Sequence, residues 1–262
     1  MEWAQQRVDP FDAELLAMHV LDATRTQIHL QPNLTLTPDQ VGQFCSLIAH
    51  RQDGVPVAYI TQESYFWKQK LHITPNVLVP RPETELLVET ALNLLQDGDR
   101  VLDLGTGSGA IALALLSELE LHVVATDVDT DALDVCRTNA TWLGLRVQVV
   151  QSDWYSSVHC DFDVIVSNPP YVSADDPRLL RSEIRHEPLV ALASGTDGLD
   201  ALRTVVAGAR HHLVEGGWLI VEHGYDQRQE VVKLFEAAGF KDIQCLDDLA
   251  QIPRVVFGKR CE

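Results

Sequence analysis

From residue 83 to the end of the chain, short apolar runs alternate with segments of helical spacing, and this alternation restricts the fold more than any other feature. Strands are expected at 100–104, 122–126, 147–151, 162–166, 218–222, 243–246 and 255–258. Helices are expected at 83–95, 110–119, 131–143, 201–213 and 230–238, with Gly144 and Gly239 as stops. Repeated βα units imply a mostly parallel, seven-stranded α/β sheet covered on both faces. The last two strands have no helix between them and can pair antiparallel.

Residues 1–62 show another pattern. Phe11, Leu15, Leu16, Met18, His19 and Leu21 keep helical spacing, and Thr37-Pro38-Asp39-Gln40 has the chemistry of a helix start: a Thr N-cap, Pro at the first helical position and Gln closing a capping box. Val41, Phe44, Cys45 and Ile48 then form an apolar stripe, broken at Asp53-Gly54. A small all-helical domain is expected, serving to recognise or position a partner. In 63–82 the period changes. Tyr65-Phe66-Trp67 and Leu71-x-Ile73 flank a polar Lys68-Gln69-Lys70 turn, which reads as a β-hairpin, and Pro75, Pro80 and Pro82 stiffen the segment after it. Three spans result: helical domain 1–62, hairpin and Pro-rich linker 63–82, and α/β domain 83–262.

The formal net charge of −18 repels phosphate backbones and anionic lipid, which disfavours nonspecific nucleic-acid or membrane binding. Arg178, Arg181, Arg185 and His186 make a local basic cluster, read as a solvated helix face. Five scattered cysteines without a Cys-x-x-Cys, and ten histidines without ligand spacing, suggest neither a disulfide framework nor a metal site. The segment 1–7 lacks the charged-then-apolar order of a secretory signal, so a soluble, cytoplasmic protein is expected.

Two segments carry chemistry. In the first, Val101-Leu102-Asp103-Leu104 runs into Gly105-Thr106-Gly107-Ser108-Gly109 and then a helix start. The glycines allow a tight turn and close approach of a ligand to the backbone. Asp127, at the end of the next strand, stands where a carboxylate accepts both hydroxyls of a ribose. The loop formally satisfies a dinucleotide fingerprint, so NAD competes here; the Asp-x-Gly-x-Gly-x-Gly form resembles instead the first motif of S-adenosylmethionine-dependent methyltransferases.

The second is Asp163-Val-Ile-Val-Ser-Asn168-Pro169-Pro170-Tyr171, an apolar strand stopped by two residues without an N–H. Pro169 keeps Asn168 out of the helical region. The stiff turn offers a side-chain amide, backbone carbonyls and an aromatic ring, a set suited to gripping a planar amide or amino nitrogen: two oxygens accept its hydrogens while a ring packs on its plane. This turn decides for methyl transfer over hydride transfer, for which no proton-transfer group can be placed.

With these motifs, Gly54-Val-Pro-Val-Ala-Tyr-Ile60, Phe66-Trp67, Val79-Pro-Arg-Pro-Glu-Thr-Glu85, Ser152-Asp153-Trp154, Glu187-Pro188 and Glu222-His223-Gly224, the chain resembles the glutamine N5-methyltransferases of peptide chain release factors, the PrmC/HemK family. The resemblance implies a Rossmann-like methyltransferase domain using S-adenosylmethionine and no metal. Its substrate would be the glutamine of the release factors' Gly-Gly-Gln motif. Cofactor contacts would fall on Gly105, Thr106, Gly107, Ser108, Gly109, Asp127, Trp154 (an adenine wall) and Asn168; substrate contacts on Asn168, Pro169, Pro170 and Tyr171, with Asn168, Pro169 and Tyr171 catalytic. Asp103 is expected to orient the loop, or the amino end of the cofactor through water. His223 is expected to be structural or to line the site. Asp175, Asp176, Glu183 and Glu187 read as a solvated loop. Thr61-Gln62-Glu63 departs from the family, which usually has a glycine there. Asn-Pro-Pro-Tyr also occurs in adenine-N6 nucleic-acid methyltransferases, the competing enzyme class. A cofactor-sensing or assembly module is the non-enzymatic alternative.

Overall fold

The computed structural model describes residues 2–30, 35–182 and 184–261; Glu183 lies outside them. The chain forms two compact units, Met1–Glu63 with Leu180–His186, and Ser64–Leu179 with Glu187–Glu262.

The smaller unit contains α1 (Glu2–Gln5), α2 (Pro10–Leu21), α3 (Arg25–Leu30), α4 (Pro38–Gln52) and α5 (Val57–Thr61). Asp9 caps α2 by accepting from the Phe11 N–H at 2.8 Å. At α4 the capping box forms in both directions: the Gln40 N–H donates to Thr37 Oγ1 at 3.2 Å and the Thr37 N–H to Gln40 Oε1 at 3.0 Å. Ala4, Ala13, Leu16, Ala17, Phe44 and Ile48 make the core. Phe11 and Val41, expected inside, stay 54% and 45% exposed. α5 stops at Gln62, which takes the left-handed conformation at φ 59°. Glycine adopts that geometry without a Cβ penalty, whereas a glutamine there is strained.

The larger unit opens with a hairpin, β1 (Glu63–Phe66) and β2 (Gln69–His72). Its turn is Trp67-Lys68 with Trp67 at φ 55°, not the Lys-Gln-Lys step. Gln69 belongs to the strand and is buried, its Nε2 donating to the Leu113 carbonyl at 3.0 Å. A 3₁₀ turn at Pro82–Thr84 leads into α6 (Glu85–Leu92). Next come β3 (Arg100–Leu104), α7 (Ala110–Glu118), β4 (His122–Asp127), α8 (Thr130–Leu143), β5 (Gln148–Gln151) and β6 (Phe162–Ser167). The chain ends with α9 (Asp200–Ala209), β7 (Leu213–Glu222), α10 (Arg228–Ala237), β8 (Phe240–Asp247) and β9 (Pro253–Arg260).

The seven strands order as β5-β4-β3-β6-β7-β9-β8. β5 through β7 are parallel, and β9 runs antiparallel to both β7 and β8, as expected where no helix intervenes. α9 ends earlier and β7 begins earlier than the apolar pattern suggested. Gly216, at φ 79°, lies within the continuous strand β7. Within this unit the main core joins Leu102, Leu104, Ile165, Leu219 and Val221 of the sheet to Leu202, Val205 and Phe235 of the covering helices.

The chain leaves β3 toward β4 on one side and later returns to β6 on the other. Ligands in open α/β sheets bind in the crevice outside the carboxyl ends at such a reversal. The register pairs Leu104 with Thr126 and with Ser167, so the glycine loop, Asp127 and Asn168 all leave the sheet at one edge. Among the described residues no helix is long and apolar enough to cross a membrane.

Candidate active site

Gly105, Gly107 and Gly109 all have positive φ, but they serve different ends. Nothing lies within 4 Å of where a Cβ would stand on Gly105 or Gly107, so these two leave open space above the loop. At Gly109 a Cβ would lie 2.8 Å from Cys136 Sγ and 3.1 Å from Leu113 Cδ1; that glycine permits close packing of α7 on α8. Burial pushes the Cys136 thiol up to about 12, so it is a neutral packing group.

Asp103 fastens the loop from beneath. Its Oδ2 accepts from Thr106 Oγ1 at 2.7 Å and from the Ala112 N–H at 3.3 Å, while Oδ1 has no hydrogen-bond partner. The carboxyl group is fully buried, and desolvation raises its pKa to about 7 against the opposing pull of those two donors. Asp127 is fastened to the same loop: the Gly107 N–H donates to Oδ2 at 2.9 Å and the Asp129 N–H to Oδ1 at 3.0 Å. Each Asp127 oxygen keeps acceptor capacity for a hydroxyl. Burial raises this pKa too, partly offset by backbone N–H donors.

Trp154 comes after β5 in the left-handed region, at φ 48°. Ser152 holds it there, donating from Oγ to the Trp154 carbonyl at 2.7 Å and from N–H to the Asp127 carbonyl at 2.9 Å. A non-glycine residue in that conformation costs on the order of 1 kcal/mol, here offset by packing on the main core.

At the end of β6 the Asn168 Nδ2–H donates to Thr84 Oγ1 at 3.1 Å. Pro169 is buried and Pro170 half-buried. Tyr171 turns back toward the sheet. Its hydroxyl donates to Glu222 Oε1 at 3.1 Å, and its carbonyl accepts from Gln227 Nε2 at 2.9 Å. Burial and the neighbouring carboxylate push the Tyr171 phenol well above the usual range.

These groups surround a cavity of ≈ 410 Å³, within the size range of small-molecule sites. Of the residues singled out from sequence, Gly105, Thr106, Gly107, Ser108, Asp127, Trp154, Asn168 and Pro170 line it; Gly109, Pro169 and Tyr171 adjoin these in the chain without lining it themselves. The residues present suit S-adenosylmethionine: open space over two glycines, a braced carboxylate at a strand end, the indole of Trp154, and the half-exposed Val128 as an apolar surface.

Other wall residues carried no chemical signal in the sequence. Phe66 of the hairpin and Pro80-Arg81 of the Pro-rich linker line the cavity, as does Val190 from the segment after the Pro-Pro turn. Arg81 Nη2 pairs with Glu187, whose side chain is 1% exposed, so Glu187 is a buried partner rather than part of a solvated loop. Asp175 is exposed, while Asp176 is half-buried and bonded to Arg178. The basic cluster is no helix face: Arg178 leaves a 3₁₀ turn for Asp176, and Arg185 and His186 meet the Asp53 carbonyl within the smaller unit. His223 is fully buried off the wall, its Nδ1 2.7 Å from the Gly224 carbonyl, and burial lowers its pKa.

Residues 82–239 match the family model described as methyltransferase small domain, and residues 4–61 that of the PrmC N-terminal domain. The release factor glutamine methyltransferase of Xylella fastidiosa (strain Temecula1) is 42% identical over 98% of this chain and 95% of its own length. The enzyme of the same name from Burkholderia pseudomallei is 44% identical over 96% and 92%. Among solved structures, a T. thermophilus 16S rRNA methyltransferase, determined with AdoMet and guanosine, superposes with a TM-score of 0.58 at 23% identity; the match covers 76% of this chain and 49% of that one.

Proposed function

Because the chain belongs to the release factor glutamine methyltransferase family, we propose that it transfers a methyl group from S-adenosylmethionine to the side-chain amide nitrogen, N5, of the glutamine in the Gly-Gly-Gln motif of peptide chain release factors. The observation that carries this reading is Asn168 on the same cavity wall as Gly105, Gly107 and Asp127.

S-adenosylmethionine supplies a methyl group already made electrophilic by its sulfonium. Gly105 and Gly107 would admit it, Asp127 would accept its ribose hydroxyls, and Trp154 and Val128 would flank its base. A glutamine amide is a poor nucleophile because its nitrogen lone pair is shared with the carbonyl. The chain's work is therefore positioning and electrostatics. With Nδ2 committed to Thr84, Asn168 has Oδ1 left to accept one N–H of the glutamine. The Pro169 carbonyl would accept the other, Pro170 would pack on the amide plane, and Tyr171 would brace the turn from behind. Fixing two reactants in line is worth up to about 7–11 kcal/mol of barrier. Positive charge developing on the nitrogen is stabilised by the same two oxygens, and the surplus N–H proton then leaves to solvent.

The net charge of −18 argues against the adenine-N6 alternative, which needs a phosphate-binding groove. A release-factor substrate is consistent with a cytoplasmic setting. The test is incubation with purified release factors and methyl-labelled S-adenosylmethionine, then mass spectrometry. The expected result is a single methyl on the Gly-Gly-Gln glutamine; an unmodified glutamine, or label on nucleic acid instead, overturns the reading.

A further inference from the structure

Asn139, on α8, is fully buried and does not itself line the cavity. Its bonds all go to backbone atoms of other elements. Oδ1 accepts from the His72 N–H at 2.6 Å, and Nδ2 donates to the His72 carbonyl at 3.0 Å and to the Ser108 carbonyl at 2.9 Å. Because His72 presents a donor and an acceptor together, the two ends of the amide can be told apart. The side chain stands beside β2 as a neighbouring strand's peptide would, and its second hydrogen is spent on the glycine loop. A buried amide is costly unless bonded, and leucine would fill this helix position without that demand. The reason for an amide here lies in what it joins.

The glycine loop is held from three elements. Asp103 of β3 holds the Thr106 hydroxyl, Asp127 of β4 the Gly107 N–H, and Asn139 of α8 the Ser108 carbonyl. The Ser108–Gly109 peptide is also held on its other side, where the Gly109 N–H donates to the Thr106 carbonyl at 2.9 Å. Its plane cannot turn without breaking a bond at each end. Ser108 lines the cavity. On the other side of Asn139, β2 leads into Asn76-Val77-Leu78, which line the cavity as well. Asn76 is tied to α8 a second time, its Nδ2 donating to Asp131 Oδ2 at 3.4 Å.

We propose that Asn139 is a positioning residue for the cofactor: one amide seats the Ser108–Gly109 peptide and the Asn76–Leu78 wall against each other, so that two sides of the site are held as one. The proposal rests on the reading of this cavity as the S-adenosylmethionine site. None of the Asn139 bonds reaches Asn168 or its partner Thr84. Its loss is therefore read in cofactor affinity and not in the rate of the loaded enzyme.

The experiment compares three variants. Asn139→Leu nearly keeps the volume and removes all three bonds. Val231→Ala, in the main core on α10 and off the cavity wall, supplies a loss of stability alone. Asp127→Ala tests the underlying reading. S-adenosylmethionine binding is followed by titration calorimetry, stability by urea unfolding, and turnover with a purified release factor at saturating cofactor. Amide exchange of residues 69–72, none of which lines the cavity, is followed in the wild type with and without S-adenosylmethionine.

Asn139→Leu is expected to raise the cofactor Kd by about 5- to 50-fold with kcat changed by less than about threefold. Val231→Ala should lower stability and leave Kd alone, and cofactor should slow exchange at His72. A Kd within about threefold of wild type in Asn139→Leu overturns the proposal. So does a kcat that falls along with affinity, or a Kd raised as much by Val231→Ala at equal loss of stability. Unchanged exchange at 69–72 overturns it without any variant, which covers a failure of Asn139→Leu to fold. Unaltered cofactor affinity in Asp127→Ala overturns the reading of the cavity instead.

Discussion

Gly198 lies against the backbone of Tyr171: a Cβ on Gly198 would stand 2.4 Å from the Tyr171 carbonyl oxygen and 2.8 Å from Gln227 Nε2. The same carbonyl accepts from Gln227 at 2.9 Å, and Gln227 Oε1 in turn accepts the Gly224 N–H at 2.9 Å. The turn carrying Asn168 is thus clamped by a glycine, a glutamine and the end of β7.

Gly198→Ala should therefore act on turnover before it acts on the cofactor. Position 198 has φ 77°, so an alanine is strained by on the order of 1 kcal/mol even before its methyl displaces the Tyr171 carbonyl. Since neighbouring backbone must move, the expected result is a kcat reduced by about 100-fold, in line with the cost of misplacing a reacting group by an ångström. S-adenosylmethionine affinity, measured by titration calorimetry, should change little, because the glycine loop and Asp127 are untouched. Equal losses in both quantities would show the clamp to be a general packing element.

Asp103 predicts a pH dependence of stability. Its pKa is about 7 in the folded chain and near 3.8 in the unfolded one, so between those values the folded state binds the extra proton. Stability from this group is fully present below about pH 4 and is lost as pH rises toward 7, with a total on the order of 4 kcal/mol. Asp103→Asn should flatten that slope, read as the difference between wild-type and variant in urea midpoints at pH 5 and pH 8. Burial raises Asp127 and Glu222 in the same direction, so the comparison must be the difference and not the wild-type curve. A cationic cofactor lowers the Asp103 pKa, so its binding near neutral pH should release protons, measurable in buffers of different ionisation enthalpy. An unchanged slope in Asp103→Asn would mean the carboxyl is already ionised in the folded chain.

Gln62 gives a prediction of opposite sign. It holds the left-handed position ending α5 at φ 59° without being glycine. Gln62→Gly should stabilise by up to about 1 kcal/mol, the αL penalty less the added freedom of the unfolded chain. A higher melting temperature by scanning calorimetry, with unaltered turnover, is the expected outcome.

How much of the molecule can be read from sequence depends on how local each cause is. The Thr37–Gln40 capping box, the Gly144 stop and the loop from Gly105 to Gly109 depend on residues a few positions apart, and each lies where its chemistry put it. The convergence of that loop with Asp127 and Asn168 was also legible, because parallel strands share one carboxyl edge. Three kinds of residue were not. Phe66, Arg81 and Val190 reach the cavity only through tertiary folding, and apolar or linker residues carry no mark of the wall they join. Glu187 reads as solvated and Glu222 carries no role, because carboxylates are usually in water and only the folded chain shows these two buried. The Trp67-Lys68 turn puts an aromatic residue at φ 55°, against local turn preference. Tertiary bonds from the Trp67 N–H to Glu85 at 2.7 Å and from its Nε1 to Glu118 at 2.6 Å offset that cost.

The pair of Arg81 and Glu187 supplies the last prediction. Arg81 comes from the Pro-rich segment and keeps 38% of its side chain exposed at the cavity, while Glu187 is buried and its Oε2 has no other partner. Removing the cation leaves a buried carboxylate without compensation, whereas replacing both partners by apolar groups removes the need for it. Arg81→Met should thus cost about 1–3 kcal/mol in denaturant unfolding, a figure kept low because the guanidinium is partly in water. Adding Glu187→Leu should recover most of that stability. Activity should not recover with it, since the cavity has lost its Arg81 wall and the KM for the release factor should stay raised in the double variant. Recovery of both together would reduce the pair to a structural tie; recovery of stability alone separates holding the segment from shaping the site.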